Sequence, residues 1–468
     1  MKNISVFVML GAFAALSVGH VEEMFRWKKV EYENLPYSEK SWVGPYRYYI
    51  PENNGVGSIA YHVASGLIMT ANVRLRPGVP TSVGAFCIGD YPTGSSPKLW
   101  GFPNYELNAL HATDFATQLE TEEDDETRIH KHHNKHHNNH HYVPIYVKPT
   151  VAPIEQPLEI KRIASVFQVN GDEKCDRVLF MDHGQIQYYL NATYIIQKPS
   201  LWIIGLPSNG CETRQFPIIR RRELPDKIAA MGSYGFMHVV PDYQSDDCAD
   251  VLFYITNTFH SYLTVYDYKK DDFWTFDHET FKPVIAESHM VFRGTYNFDM
   301  PLGLFSIVLG YPDEDGDRTA YYTSVAGTAQ YAVSTRILKN KRRSPANFNS
   351  DDFRIMGYLG CNSQPLKSVI DYATGVVFTA DVQTNEIHCW KVNSPLNPDT
   401  RDVVYKSDKY FFGPQMLIDS RGYLWFQSTS IPVLLTSDNP LDLTQVNSRF
   451  FRVKVTDAIR GTLCNIDG

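Results

Sequence analysis

Residues 368–392 constrain the fold more than any other stretch of the chain. Val369 and Ile370 are β-branched and lead into Asp371. Thr374-Gly375 supplies a turn, because glycine takes positive φ without a Cβ clash. Val376-Val377-Phe378 resumes an extended run, Gln383-Thr384-Asn385 turns again, and residues 387–392 extend once more. The reading is strand, turn, strand, turn, strand: an antiparallel meander.

The pattern recurs. Asp419-Ser420-Arg421-Gly422 precedes Tyr423-Leu424-Trp425-Phe426, the same frame shortened by one residue. Residues 62–69 and 178–184 are looser copies, and residues 251–276 and 304–323 are strand-rich without the frame. Six such units at irregular spacing predict an all-β propeller, in which a single blade cannot bury its own faces. The alternative is a β-sandwich with unequal hairpins; the repeated frame favours the propeller.

The 468 residues exceed a usual domain, but propellers do so routinely. A 43% hydrophobic content with 29 tyrosines supports one large packed core. The formal net charge of −8 leaves no basic field to neutralise phosphates, so nucleic acid is not an expected partner. Lys339, Lys341, Arg342 and Arg343 read as a solvated basic loop. Asp313 opens an acidic turn that lacks the glutamate a calcium loop needs at its twelfth position, which is Ser324.

Residues 1–19 read as a signal peptide: Lys2, an apolar run over residues 4–16, then small Ser17 and Gly19. Residues 20–468 are expected to form one secreted propeller domain, with no membrane contact after cleavage. Seven cysteines in a secreted chain imply disulfides with at least one thiol left over. Asn191-Ala192-Thr193 is an N-glycosylation sequon.

The composition breaks at about residues 112–150. Six carboxylates fall within residues 120–126, and His130, His132, His133, His136, His137, His140 and His141 follow. Neither block can bury an apolar face, so the sequence predicts a disordered surface insertion. It is a solvated loop without fixed role, a loose site for zinc, copper or nickel, since neutral imidazoles ligate such metals, or a pH-dependent cluster whose histidines begin to pair with the acidic run at about pH 6. No cofactor is required by any motif.

Several scattered motifs together resemble the insect yellow and major royal jelly protein family. They include Phe25-Arg26-Trp27-Lys28, Arg76-Pro77-Gly78-Val79-Pro80, and Cys175-Asp176-Arg177 with Asp182 and Gly184. Ser363-Gln364, Thr374-Gly375-Val376, Asn385 with Cys389-Trp390, and Phe451-Arg452-Val453 with Cys464 complete the set. The resemblance implies a six-bladed β-propeller and a secreted insect protein of eggshell, cuticle, pigmentation, nutrition or saliva. It implies extracellular-matrix proteins or catecholamines as partners, and dopachrome conversion as the activity if there is one. It also implies a Cys389–Cys464 disulfide, with Cys175 pairing to Cys211 or Cys248. The His-rich insertion and Gly360-Cys361-Asn362 depart from the family pattern and suggest a divergent branch.

No nucleophile elbow, phosphate loop or zinc-hydrolase motif is present, and no catalytic residue is assigned. Asn385 matches a family position near the channel in amine-binding members and is the ligand candidate, although asparagine also suits a plain turn. Asp182, His183, Asp371 and Asp419 read as turn residues bonded to local backbone rather than as an active site.

Overall fold

The computed structural model describes residues 21–115, 161–188, 192–292 and 296–465. The expected signal peptide, the seven histidines and Asn191 lie outside these residues. Among the described residues, six four-stranded antiparallel sheets account for most of the structure. The innermost strands are Val56–His62, Val166–Asp172, Phe236–Tyr243, Leu304–Pro312, Pro365–Asp371 and Met416–Ile418. Each packs on the next, and the second strand of the sixth sheet, Tyr423–Thr429, packs on Val56–His62. The ring therefore closes as a six-bladed β-propeller, and the β-sandwich alternative is excluded.

Each of the six sequence units lies in a different blade. Blade 5 is the meander read at residues 368–392: Pro365–Asp371, Val376–Asp381 and Glu386–Lys391, with Asp402–Lys406 outermost. Gly375 sits at φ +69° in its first turn, as glycine permits. Arg220, Arg221 and Arg222 are consecutive basic residues of blade 2. They lie in Ile218–Glu223, its outermost strand.

Blade 6 is built from both ends of the described chain. Its outermost strand is Glu22–Trp27, paired antiparallel to Ser448–Lys454. Trp27 and Phe25 are fully buried there, with Trp27 against Phe450 at 4.8 Å between ring centroids. Burying each such side chain contributes about 2–3 kcal/mol, so the closing strand is held by its rings as well as by its ladder.

Neighbouring blades share separate apolar cores. Phe180 and Trp202 of blade 2 pack with Ile59 and Phe86 of blade 1, whereas Phe253 and Ile255 of blade 3 pack with Leu179 and Ile203 on blade 2's other face. Alternate residues of one strand thus serve different interfaces, as a pleated sheet requires.

Three disulfides tie separate segments of the chain together. Cys389–Cys464 joins the third strand of blade 5 to the C-terminal segment, as the family resemblance implied. Cys175 pairs with Cys248, and Cys87 pairs with Cys211. Cys361 is an exposed free thiol. In the basic loop Lys341 and Arg342 are exposed, while Lys339 pairs with Asp317 at 3.0 Å and Lys341 pairs with Asp272. The acidic turn is closed by Asp313 Oδ1, which accepts from the amides of Asp315 at 3.0 Å and Asp317 at 2.8 Å.

Candidate functional site

Both the starts of the inner strands and the turns between second and third strands lie at one end of the propeller. At that end the register of the first two strands shifts in five blades, between Val56 and Ser58, Val166 and Val169, Phe236 and Val239, Leu304 and Ser306, and Pro365 and Lys367. Such bulges re-aim side chains. The second residues of these strands are Gly57, Phe167, Met237, Phe305 and Leu366. Four of them join an apolar cluster that also holds Phe411 and Ile431. Gly57 is the exception because a Cβ there would lie 2.5 Å from Val73 and 2.9 Å from Ile431. The third residues are polar: Ser58, Gln168, His238, Ser306 and Lys367.

A cavity of about 600 Å³ opens between blades 5 and 6 at this end. Its walls include Thr384, Asn385, Tyr410, Phe411 and Arg449. Thr384 and Asn385 form the end of the turn between Val376–Asp381 and Glu386–Lys391, with Asn385 at φ +54°. Asparagine tolerates that left-handed conformation better than most residues. The Thr384 hydroxyl, Asn385 Oδ1 and the Tyr410 hydroxyl are all buried without a hydrogen-bond partner. Burial pushes the Tyr410 phenol far above its ordinary range, and Asp381 adds to the shift. It therefore stays an O–H donor at neutral pH.

Asp381 stands behind this wall. Arg401 Nη2 lies 3.1 Å from its Oδ2 and His388 Nδ1 lies 3.0 Å away. Burial disfavours the charged carboxylate, but Arg401 and His388 outweigh it and hold the group below the usual carboxylate range. At the outer rim Lys406 pairs with Glu386 at 2.7 Å. The wall residues Thr384, Asn385, Tyr410, Phe411 and Arg449 thus carry two hydroxyls, one side-chain amide, a phenyl ring and a guanidinium.

The other frame residues do not converge on it. Asp371 and Asp419 lie at the opposite end. Asp371 accepts from the amide and hydroxyl of Thr374 at 3.0 and 2.7 Å. Asp419 accepts from the amides of Arg421 and Tyr423, both at 3.0 Å, and from the Trp425 indole at 2.9 Å. Asp182 and His183 share the cavity's end but belong to blade 2. His183 bridges two backbone carbonyls, Ser165 at 3.0 Å from Nδ1 and Phe236 at 3.1 Å from Nε2. Burial lowers its pKa to about 4 despite those two acceptors.

Tyr410, His238 and Lys367 were not among the sequence candidates. Each is a single residue without a motif, and only ring closure brings them near the axis or the cavity. Among the described residues no group of three or more His, Cys, Asp or Glu side chains could hold a metal ion. None of their helices is long and apolar enough to cross a membrane.

The chain is similar to known proteins over most of its length. It is 25% identical to L-dopachrome tautomerase yellow-f of Drosophila melanogaster over 463 residues, covering 94% of each chain. It is 33% identical to the yellow-related salivary protein ASP4 of Phlebotomus orientalis, over 65% of this chain and 74% of that one. It is 30% identical to the yellow-related salivary protein LJM11 of Lutzomyia longipalpis, over 66% of this chain and 74% of that one. The family model described as major royal jelly protein matches residues 164–464, from the first strand of blade 2 to the disulfide that closes blade 5. With six blades in place and that match spanning five of them, the chain belongs to the major royal jelly protein family, to which yellow proteins are its relatives.

Proposed function

We propose that this protein is secreted and binds a small catechol or catecholamine in the cavity between blades 5 and 6. One observation carries the reading: Thr384, Asn385 and Tyr410, each with a buried oxygen that lacks a partner, are wall residues of one cavity together with Phe411. A catechol supplies two hydroxyls that can donate and accept, and an apolar ring that packs on phenyl. A protonated amine would take Asn385 Oδ1 as its acceptor. Export is part of the proposal: three disulfides suit an oxidising compartment, and residues 1–19 read as a signal. Such a protein would act where catechols become pigment or cross-links, the setting expected of an eggshell or cuticle component.

Calorimetry with dopamine tests the reading. Saturable binding that weakens about tenfold in Asn385→Ala supports it, the loss expected when one charge-assisted hydrogen bond disappears. Absence of any heat from pure, folded protein refutes it.

A second reading is dopachrome isomerisation at the same cavity. Similarity to a tautomerase over 94% of both chains favours it. Decay of dopachrome absorbance faster than in buffer, with saturation, is the expected result. A rate equal to that of buffer removes this reading and leaves the binding proposal standing.

A further inference from the structure

His238, Ser306 and Lys367 are the third residues of the inner strands of three successive blades. Ser306 joins them. Its hydroxyl lies 3.5 Å from His238 Nδ1 and accepts from the Ser368 amide at 3.2 Å. The Ile307 amide donates to His238 Nδ1 at 3.4 Å, so the ring proton belongs on Nε2. Among the described residues Nε2 has no partner. The ring lies deep in the protein yet is not fully covered, which places it on interior space rather than on the outer surface.

Lys367 is 1% exposed, and its ammonium has no hydrogen-bond or ion-pair partner among the described residues. Burial pushes its pKa far below the ordinary lysine value. Lys367 in turn lowers His238, adding to the effect of burial there. The two side chains thus stand on the inner strands that flank the one carrying Ser306, and among the described residues no carboxylate pairs with either. A buried amine in that state is rare, because buried lysines are normally paired.

We propose that the interior of the propeller holds a small anion, a carboxylate or an inorganic oxyanion, between Lys367 Nζ and His238 Nε2. Both groups are donors, and an anion supplies the acceptors and the charge that the chain itself does not. Lys367 binds in its ammonium form, taking a proton as the anion enters. The apolar residues one position earlier, Phe167, Met237, Phe305 and Leu366, suit a carboxylate carried on an apolar body. The same charge disfavours a protonated amine at this level, so this site is separate from the cavity at Asn385 and does not rest on that reading.

The test is calorimetry on the full chain in phosphate- and chloride-free buffer, with benzoate, inorganic phosphate and chloride as separate probes. The expected result is saturable one-to-one binding of at least one probe, weakened tenfold or more in Lys367→Met and severalfold in His238→Gln. Benzoate binding alone identifies an organic carboxylate; phosphate or chloride binding alone identifies an inorganic ion. No saturable heat with any of the three overturns the proposal. So does unchanged affinity in Lys367→Met, or in His238→Gln if the lysine variant does not fold.

Discussion

Arg74 and Asp182 face each other across two consecutive peptide groups. Arg74 Nη1 donates to the carbonyls of Ile163 at 3.2 Å and Ala164 at 2.7 Å. The amides on the other side of those same peptides, of Ala164 and Ser165, donate to Asp182 Oδ1 at 3.0 and 2.8 Å. Guanidinium and carboxylate thus polarise the same two units from opposite sides, and hydrogen bonds so aligned strengthen one another. Both residues are buried, and Arg74 also holds the carbonyls of Val79, Pro80 and Asn108. The pair fixes the point where the chain enters blade 2.

Removing Arg74 strips five buried carbonyls of their donor, and removing Asp182 strips the Ala164 and Ser165 amides of their acceptor. Arg74→Ala and Asp182→Ala should each cost about 3–5 kcal/mol in urea unfolding. The double variant should cost less than their sum, with a coupling of roughly 0.5–3 kcal/mol. Strict additivity would mean that the intervening peptides transmit nothing.

His183 makes stability depend on acid. Its folded pKa of about 4 lies below the ordinary 6.5, so the unfolded chain takes up the proton first as pH falls. The contribution is fully present above about pH 6.5 and is lost as pH drops towards 4. A difference of that size corresponds to at most about 3 kcal/mol. His238 is shifted the same way. Unfolding free energies at pH 7 and pH 4.5 should therefore differ less in His183→Gln than in the parent, without becoming equal.

The Cys389–Cys464 bridge, with a sequence separation of 75, closes a loop that holds the outermost strand of blade 5 and the first three strands of blade 6. The chain-entropy model assigns such a loop about 4 kcal/mol. Cys389→Ser with Cys464→Ser should lower stability by that order. The Cys87–Cys211 bridge, with a separation of 124, should contribute only slightly more, because closure entropy grows with the logarithm of length. Paired thermal melts of the two double variants check both statements.

The parts of the fold legible in sequence were the local ones. Residues 368–392 announced blade 5 because its turns are short and carry Gly375 and Asn385. The frame misled in blade 2: residues 182–184 form the turn after the second strand, whereas residues 62–66, 371–375 and 419–422 follow the first. Asp and Gly suit both turns, so chemistry alone does not give blade phase. Nothing in the sequence around Glu22–Trp27 assigns it to blade 6, since its partner lies more than 420 residues away. Asn385 came from a motif and does line a cavity. Lys367 carried no signal, because one lysine after Pro365-Leu366 looks like any strand residue until five other blades surround it.

The described residues on either side of the acidic and histidine-rich segment meet in a clamp. Arg162 donates to both carboxylate oxygens of Asp114, at 2.8 and 2.6 Å, and to the Ala109 carbonyl at 2.8 Å. Asp114 and Phe115 are buried, Phe115 against Tyr46, Tyr188 and Tyr194, so the fold continues up to residue 115. Residues 114 and 162 are thus already held together without the segment between them. Replacing residues 116–160 by a short Gly-Ser linker should leave stability within about 1 kcal/mol, because loop-closure cost varies slowly with length. Arg162→Ala should cost more, about 1–3 kcal/mol, by leaving a buried carboxylate unpaired. Comparing the two by urea unfolding separates them: a deletion as damaging as the arginine variant would mean that the insertion itself supports the blade 1–blade 2 junction.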